Sequence, residues 1–496
     1  MQPSKKITIV GGGTAGWLAA NLMAKQWQQK NIEVSVIEAP DIATIGVGEG
    51  STPTLKRFFE IMDIPESQWM PACHATYKVN IRFEHWSPES NIESYSHPFI
   101  SQLDTFSERP FYANCFGRRM GQDVTTSADK FLFNGWLAKH NLSPVTPENF
   151  PFKIEYGYHF DSACLGRFLQ QHAMNLGVRH QALKVQNVEL HPDGSIARLH
   201  TDKGQVIEAD FFVDCSGFSS LLLQGALGVK FKDFSNNLFN DSALVIGTKP
   251  LAQVPVETVS TALSNGWAWR IPLRNRTGNG YVYSAQHITK NDAETELRQH
   301  LGLLDTDIEC RHLKMRVGQV TKHWSKNCIA IGLAQGFIEP LEATALHLTQ
   351  ISTEMFIDCF EKGHFSNQFQ NDYNNEMNER FERIRDYIVA HYKLNTRQDS
   401  EYWKANRNNM ALSESLLQIL DTWYKKNDLS KELARQGINQ HFGAISWHCL
   451  LAGYGVFPQL NQRATNKATA PVIDYFKDNQ IQQLFAGCIL NFKPQM

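Results

Sequence analysis

A glycine turn that directly follows the first apolar run constrains this chain more than any other feature. The run at 7–10 is Ile-Thr-Ile-Val, the turn at 11–16 is Gly-Gly-Gly-Thr-Ala-Gly, and an apolar, helix-like stretch follows. Gly11 permits a tight turn, Gly13 lets a pyrophosphate approach the backbone, and Gly16 lets the helix pack closely on the strand. The start of such a helix offers free N–H groups to phosphates. An ordinary strand–helix turn without a ligand is the alternative.

A second β-rich run ends in an acidic residue at the distance that a dinucleotide site requires. Residues 34–37 are Val-Ser-Val-Ile, and Glu38 follows them, 22 residues beyond Gly16. A carboxylate at this position accepts a hydrogen bond from a ribose hydroxyl and disfavours a 2′-phosphate. The sequence therefore predicts an α/β fold that begins with a Rossmann-like, dinucleotide-binding unit.

Charge, hydropathy and cysteine usage exclude several classes of protein. The net charge of -2 over 496 residues gives no basis for binding nucleic acid or an anionic membrane. No apolar run approaches the roughly 18 residues that a bilayer-spanning helix needs. Nine cysteines occur without a CxxC pair, which is typical of reduced thiols and not of disulfide frameworks or zinc sites. We expect a cytoplasmic protein with no metal.

An alternating segment places a lysine on the polar face of a strand. From Thr76 to Trp86 polar and apolar residues alternate, which predicts a half-buried strand. Lys78 falls on its polar face. On alternation alone, Lys78 would be a solvated surface residue.

The remaining pattern predicts one large α/β body and a helical region. Residues 87–155 are rich in Ser, Pro, Asn and aromatic residues, as in an insertion with long loops. Further β-rich runs occur at about 240–320. We therefore expect an α/β body over 1–350 that carries these two inserted segments, and a mainly helical region over 351–496.

Several separated motifs resemble those of one family, the flavin-dependent halogenases of the tryptophan halogenase type. The matching segments are 11–17, 46–49, 75–78, 214–217, 267–272, 327–332 and 340–344. A weaker similarity extends from 391 to about 403. The specific parts are Lys78 and the Trp-x-Trp-x-Ile-Pro sequence at 267–272, since the glycine turn alone suits any flavoprotein that binds FAD.

The resemblance implies a fold, a cofactor and a reaction. The fold would be that of the Rossmann-like, FAD-binding flavoprotein monooxygenases, with a helical C-terminal substrate region. Reduced FAD and O2 would oxidise chloride or bromide to hypohalous acid, which would halogenate an electron-rich arene. No second nicotinamide fingerprint is visible, so a separate flavin reductase is expected to supply FADH2. A homodimer is one oligomeric state that is compatible with the sequence.

Two residues carry the catalytic roles that the resemblance implies. The Lys78 ammonium would hydrogen-bond the oxidant and make its halogen more electrophilic. Its free amine, favoured by burial, would instead form a haloamine. Glu342 would accept a proton from the cationic ring intermediate or bond Lys78. Without the resemblance, Glu342 is simply a carboxylate that stabilises a helix start.

The same resemblance implies the residues that bind FAD and halide. The cofactor residues would be Gly11, Gly13, Thr14, Ala15, Gly16, Glu38, Gly48, Val185, Leu333 and Leu346. The halide would lie at Thr344 and Ala345, where an expected helix start suits an anion. Family members usually have Ser and Gly where this chain has Ala343 and Ala345. The additional methyl group at 345 would alter the preference between chloride and bromide.

Aromatic residues supply the implied substrate walls and a barrier. His97, Phe99 and Trp447 would enclose an indole-like ring. Trp267 and Trp269 are two positions apart, so on a strand they share a face. They would separate the substrate from the flavin, whereas without the resemblance they are ordinary core aromatics. The tyrosine-rich loop that grips the amino-acid end of tryptophan is not found, so indole, a substituted indole or another small arene stands beside free tryptophan as substrate.

Two other functions remain open at the level of sequence. An aromatic hydroxylase of the same flavoprotein class would share the FAD-binding turn. A non-catalytic, flavin-binding partner module would share the fold as well, because fold alone does not fix activity. A halide-dependent product separates the halogenase from both.

Overall fold

The structure is a computed structural model, and it describes residues 4–41, 48–460 and 473–495. The chain divides into two compact units of three segments each. The first unit comprises 1–75, 160–235 and 315–382, and the second comprises 76–159, 236–314 and 383–496. Residues 46 and 47 of the family-matching segment 46–49 lie outside the described residues.

Helices and strands alternate through the first half of the chain, and helices dominate its end. The strands are β1 (Lys5–Val10), β2 (Ile32–Glu38), β3 (Gly48–Gly50), β4 (Thr76–Lys78), β5 (Asn80–Ser87), β6 (Ile92–Pro98), β7 (Gly157–Asp161), β8 (Arg179–Ala182), β9 (Val185–Leu190), β10 (Ile196–Thr201), β11 (Val206–Ile207), β12 (Phe211–Asp214), β13 (Phe231–Asp233), β14 (Ser242–Thr248), β15 (Glu257–Leu263), β16 (Gly266–Pro272), β17 (Thr277–Tyr283), β18 (Arg311–Lys314), β19 (Gly318–Val320), β20 (Trp324–Ser325), β21 (Cys328–Ala330) and β22 (Gly336–Phe337). The helices are α1 (Thr14–Trp27), α2 (Thr54–Ile61), α3 (Glu66–Ala72), α4 (Glu108–Arg119), α5 (Ala128–Phe131), α6 (Phe133–Lys139), α7 (Ser162–Asn175), α8 (Lys290–Leu301), α9 (Thr344–Lys362), α10 (Gln370–Lys393), α11 (Glu401–Asn408), α12 (Glu414–Tyr424), α13 (Leu429–Gln436), α14 (Ala444–Gly453) and α15 (Gln480–Ile489).

The first unit is built on a six-stranded sheet in the order β20-β21-β12-β1-β2-β8. All neighbours are parallel except the pair β20–β21. The β1 side chains of Ile7 and Ile9 are buried, as expected for a strand that is covered on both faces. Helix α1 connects the parallel strands β1 and β2, which confirms the predicted α/β unit.

The second unit contains a seven-stranded sheet in the order β18-β14-β17-β16-β15-β5-β6. Its neighbours are antiparallel apart from β5 and β15, which run parallel. A separate antiparallel pair joins β4 to β7, with Thr76 opposite His159 and Lys78 opposite Gly157. The two Trp residues of the Trp-x-Trp-x-Ile-Pro sequence lie on β16, inside the large sheet.

The segment predicted as one half-buried strand is interrupted and more deeply buried. Val79 separates β4 from β5, and its N–H donates to the Val256 carbonyl oxygen over 2.8 Å. Thr76, Lys78 and Asn80, on the expected solvent face, are all buried. The prediction of a solvated polar face is therefore wrong here, because that face meets other side chains: Phe99 lies next to Lys78, and Asn80 donates to Ser96 and Glu257.

The region expected to be an insertion with long loops and the region expected to be mainly helical are both more detailed in the structure. Residues 87–155 contain β6, α4, α5 and α6 in addition to loops. The expected boundary at 350 falls within α9, all of which belongs to the first unit. Helices do dominate the chain beyond this point, as the sequence predicts. Among the described helices, none has the length and apolar character needed to cross a bilayer.

Candidate active site

The glycine turn after β1 leaves an open space against its backbone. Gly11 has φ of +117°, and a Cβ there would lie 2.2 Å from the Cys215 carbonyl oxygen. A Cβ on Gly16 would lie 2.0 Å from the Gly11 carbonyl oxygen, so strand and helix approach too closely for a side chain. A Cβ on Gly13, in contrast, would meet no atom of the described residues within 4 Å. This is the open cradle that a cofactor pyrophosphate requires.

Glu38 lies beside the same turn. A Cβ on Gly12 would come within 2.2 Å of the Glu38 carboxyl carbon, so the side chain lies directly over the turn. The carboxylate is 3.1 Å from His180 Nε2 and remains partly exposed. It can therefore accept a hydrogen bond from a ribose hydroxyl. The cradle and this acceptor together fit the dinucleotide FAD.

Other residues expected to bind the cofactor have diverse surroundings in the first unit. Thr14 donates its hydroxyl proton to the Ser162 carbonyl oxygen over 3.2 Å, which fixes α1 to the start of α7. Ala15 is so close to Gly332 that a Cβ on Gly332 would lie 2.6 Å away, which brings the neighbouring Leu333 segment to the turn. Val185 packs on the core of this unit. Gly48 and Leu346 are buried in β3 and α9.

Glu49 is a titratable residue that the sequence analysis did not single out. Burial raises the pKa of its carboxyl group from 4.5 to about 7, and the negative Asp161 adds to the rise while the Ser162 hydroxyl opposes it. A carboxyl group with this pKa exchanges its proton near neutral pH. The sequence could have identified Glu49 by its position directly after Gly48, in a segment that matches a family motif.

The beginning of α9 has the features of an anion site. Ala343, directly before the helix, adopts φ of +57°, and no side chain caps the first turn in the part of the chain that is described. The Thr344 hydroxyl oxygen is buried and has no hydrogen-bond partner among the described residues. Ala345 follows and is partly exposed. Uncapped N–H groups and a free hydroxyl at the positive end of a 19-residue helix suit a halide.

Glu342 immediately precedes this site in the first unit. It ends a short 3₁₀ turn over Pro340–Glu342 and is only 3% exposed. The left-handed backbone of Ala343 separates this turn from α9, so the carboxylate is held outside the helix. A strained non-glycine residue at such a position is a common feature of functional sites.

His347 lies one turn into α9 and is held neutral. Thr52 donates to the Thr54 hydroxyl oxygen, and the Thr54 hydroxyl lies 2.7 Å from His347 Nδ1. Burial and the positive charges of Arg380 and Arg57 lower the pKa of His347 to about 4. The first turn of α9 therefore carries no additional positive charge at neutral pH.

Lys78, in the second unit, is completely buried, with 0% of its surface exposed. Its Nζ lies 5.3 Å from the centre of the Phe99 ring, within the range of a cation–π contact. His159 is close enough that the positive charge of Lys78, after burial, helps to lower the pKa of His159 well below its usual range. Lysine side chains are almost never fully buried, so the burial of this amine is an unusual and costly arrangement.

The tryptophan pair lies on one face of β16, as its spacing predicts. The rings of Trp267 and Trp269 are 6.1 Å apart at 56°. Trp267 is buried, whereas Trp269 is partly exposed. A Cβ on Gly280 of the neighbouring strand would lie 2.1 Å from the Trp269 ring, so only glycine there leaves room for it.

The residues expected to enclose the substrate fall into two groups within the second unit. Phe99 faces Lys78 as described. His97 Nε2 lies 2.9 Å from the Ser446 hydroxyl, and its ring packs on Tyr387 and Phe442 at 5.8 and 6.3 Å. Trp447, 2% exposed, contacts Tyr387 edge-on at 4.9 Å.

Two further rings of this aromatic cluster escaped the sequence analysis. Tyr387 and Phe442 stack with their centres 3.8 Å apart and an interplanar angle of 5°. Neither belongs to a motif that the family resemblance covers. Only contacts between distant parts of the sequence reveal them, so no local signal was available.

One group of side chains among the described residues has metal-ligating character. Glu294, Cys310 and His312 offer atoms that all lie within 4.8 Å of one another. Glu294 already forms a salt bridge with Arg298 and a hydrogen bond with His312 Nε2 at 2.9 Å. These partners satisfy the carboxylate without an ion.

The fold and the glycine cradle define a dinucleotide-binding α/β protein, and comparisons with known proteins define its family. Residues 6–470 match the tryptophan halogenase family. Tryptophan 6-halogenase SttH of Streptomyces toxytricini is 34% identical over 444 residues, which cover 84% of this chain and 83% of the relative. The chain belongs to the tryptophan halogenase family.

Solved structures agree with this assignment. The crystal structure of SttH has a TM-score of 0.85 at 29% identity and covers 100% of this chain and 99% of its own. Xcc4156, a flavin-dependent halogenase from Xanthomonas campestris, has a TM-score of 0.84 at 30% identity, with coverage of 99% and 97%.

Membership confirms the class of enzyme that the sequence motifs indicate. The protein is a flavin-dependent halogenase, which uses FADH2, O2 and halide and receives the reduced flavin from a separate reductase. The hydroxylase and the non-catalytic flavin-binding module considered from the sequence are therefore set aside. The glycine cradle and Glu38 are the residues that would hold FAD.

Proposed function

We propose that this enzyme halogenates an indole-type aromatic compound, with Lys78 and Glu342 as its catalytic residues. The observation that carries the proposal is the complete burial of the Lys78 amine. An amine removed from water at a motif position is a candidate for chemistry, since burial shifts its protonation and sharpens its interactions. When bound, the reduced flavin supplies the oxidation of halide to hypohalous acid with O2.

Lys78 acts on the oxidant. Its ammonium donates a hydrogen bond to the oxygen of hypohalous acid, which draws electrons from the O–halogen bond and makes the halogen more electrophilic. Exclusion of water strengthens this hydrogen bond, because the local dielectric is low. The Phe99 ring, 5.3 Å from Nζ, supports the positive charge of the ammonium without competing as a strong acceptor.

Glu342 acts on the substrate. Addition of the halogen to an arene leaves a cationic ring that must lose a proton, and a carboxylate is a suitable acceptor. Glu342 is buried, and the left-handed Ala343 fixes its backbone outside α9. The carboxylate therefore retains its position through the cycle.

The halide binds at the start of α9, between the Thr344 hydroxyl and the first N–H groups of the helix. Support comes from the partnerless Thr344 hydroxyl and the uncapped helix start within the described residues. Chloride and bromide both match this donor set. Ala345 presents a methyl group to the site, and its size selects between the two ions.

The most direct experiment supplies reduced FAD, O2, and chloride or bromide with tryptophan, indole and substituted indoles. Mass spectrometry of the products shows which compound gains a halogen. We expect halogenated products from indole-type rings and none without added halide. The relatives are named for action on tryptophan, so free tryptophan is the comparison compound. An oxygenated product that forms without halide would contradict the proposal.

We also propose a cytoplasmic location. All nine cysteines of the chain are free thiols in the structure, as is typical of a reducing compartment. Fractionation of producing cells tests this directly, and recovery of the enzyme outside the cytoplasmic fraction would contradict it.

A further inference from the structure

His159 is enclosed in a hydrogen-bond chain next to Lys78. His159 lies on β7, directly opposite Thr76 of β4. Thr76 is two residues before Lys78 in the sequence. His159 Nδ1 is 3.2 Å from the Thr76 hydroxyl oxygen, and His159 Nε2 is 2.8 Å from the Thr258 hydroxyl oxygen. The Thr76 hydroxyl also lies 2.8 Å from the Pro272 carbonyl oxygen. All four residues belong to the second unit.

The direction of each hydrogen bond in this chain follows from one fixed acceptor. The Pro272 carbonyl oxygen can only accept, so the single Thr76 hydroxyl proton is donated to it. The Thr76 oxygen must then accept from His159, which places a proton on Nδ1. Burial and the charge of Lys78 hold the imidazole neutral, with a pKa well below its usual range. Nε2 is therefore bare and accepts from Thr258.

Two attachments hold the backbone on either side of Lys78, and one of them belongs to this hydrogen-bond chain. On one side Thr76 is tied to Pro272, the last residue of the strand that carries Trp267 and Trp269. On the other side the Val79 N–H donates to the Val256 carbonyl oxygen over 2.8 Å. Lys78 lies between these two attachments.

We propose that His159, held as the neutral Nδ1–H tautomer by Thr76 and Thr258, is a positioning residue that fixes Lys78 for halogen transfer. This inference rests on the proposed role of Lys78. His159 acts through Thr76, which transmits its position to the backbone of β4. A neutral imidazole also adds no positive charge next to the Lys78 amine.

Nitrogen NMR of histidine-labelled enzyme tests the tautomer without reference to activity. We expect the His159 ring to show a protonated Nδ1 and an unprotonated Nε2, unchanged between about pH 6 and pH 8, where ordinary histidines titrate. A protonated Nε2, or titration in this range, would overturn the proposal.

Thr258→Val tests the function of the chain, because it removes the donor to Nε2 at similar volume. We expect the halogenated product formed per FADH2 to fall about tenfold, with trapped hypohalous acid rising and the KM for substrate unchanged, since small misplacements of a catalytic group are costly. Thr258→Ser, which retains the donor, restores the yield. Thr295→Val, on the exposed face of α8, is the matched control.

The outcomes separate this inference from the function on which it rests. Retained halogenation in Lys78→Ala removes the proposed role of Lys78 itself. Loss of halogenation in Lys78→Ala together with a wild-type yield in Thr258→Val removes only the role of His159.

Discussion

Two carboxyl groups, those of Glu342 and Glu49, account for much of the chemistry expected of this enzyme. Glu342 and Glu49 both lie in the first unit, but their backbone settings differ. Glu342 is fixed by a turn that ends in a left-handed residue, whereas Glu49 lies on the short strand β3. We expect Glu342 to serve catalysis and Glu49 to respond to pH, and the two expectations are tested separately.

Glu342→Gln should lower turnover strongly while leaving the fold intact. The amide has the same shape but no longer accepts a proton from the ring intermediate, and general bases contribute about 10²–10⁴ in rate. We expect kcat to fall by at least about 100-fold at an unchanged unfolding temperature. Product formation within a fewfold of the wild type would contradict the role of Glu342 as the base.

Glu49 should make the stability of the FAD-free protein fall as pH rises. Its carboxyl pKa is about 7 in the folded state against 4.5 normally. Between these values the folded state binds the proton more tightly than the unfolded state, so raising the pH across this window favours unfolding. Below this window the Glu49 carboxyl group is protonated in both the folded and the unfolded state. Above it the group is ionised in both states, so the loss in free energy of unfolding no longer changes with pH.

Glu49→Gln should remove this pH dependence. Relative to the wild type, the variant should gain of the order of 2 kcal/mol in free energy of unfolding between about pH 5 and pH 8. Urea denaturation of the FAD-free proteins at the two pH values measures the difference. Parallel pH profiles for the two proteins would show that Glu49 does not titrate in this range.

At the scale of single elements, two features shape the site: the N-terminus of a helix and the space that a glycine leaves between neighbouring strands. The start of α9 supplies uncapped N–H groups and a free Thr344 hydroxyl within the described residues. The neighbouring strands β16 and β17 leave space for Trp269 only because Gly280 has no side chain. A single substitution tests the contribution of each element, and a substitution elsewhere in the same helix or sheet serves as its control.

Thr344→Val should weaken halide binding with little effect on turnover at saturating halide. The substitution removes the free hydroxyl but retains the helix start, and one hydrogen bond to a charged partner contributes about 1.5–3 kcal/mol. We expect the KM for bromide and chloride to rise about tenfold or more. Thr353→Val, further along α9, is the control for the loss of a threonine hydroxyl in this helix. Equal halide KM values in the two variants would contradict the site.

Gly280→Ala should destabilise the protein and disturb the tryptophan barrier. The added Cβ would lie 2.1 Å from the Trp269 ring, and overpacking of this kind costs about 1–3 kcal/mol. Gly247→Ala, on an adjacent strand of the same sheet, is the matched control, because its Cβ would meet no atom of the described residues within 4 Å. Thermal unfolding of both variants measures the difference, and equal midpoints would show that the Trp269 ring adapts freely.

Over the whole molecule, the sequence motifs predicted those structural features that are determined by residues close together in the sequence. The glycine turn and Glu38 indicated the parallel α/β unit, because the turn, the helix and the second strand all follow within 40 residues. The spacing of Trp267 and Trp269 predicted their shared face. These features need no information from distant segments.

The burial of a side chain by segments that are distant in the sequence could not be predicted from the sequence pattern. Alternation around Lys78 is the same whether its polar face meets water or other side chains, so alternation alone favoured a solvated lysine, and only the family resemblance indicated a catalytic one. The groups next to Lys78 in the structure come from β7 and from Phe99, and the end of β16 holds the nearby Thr76. The stacked pair of Tyr387 and Phe442 escaped prediction for the same reason.

One comparison tests the central claim most directly: product formation by Lys78→Ala and by Lys139→Ala, a variant at an exposed lysine of the same unit. Both are supplied with reduced FAD, O2, bromide and an indole, and FAD binding is measured in parallel. The account predicts normal FAD binding in both variants, halogenated product from Lys139→Ala and none from Lys78→Ala. Halogenated product from Lys78→Ala at the wild-type rate would contradict it.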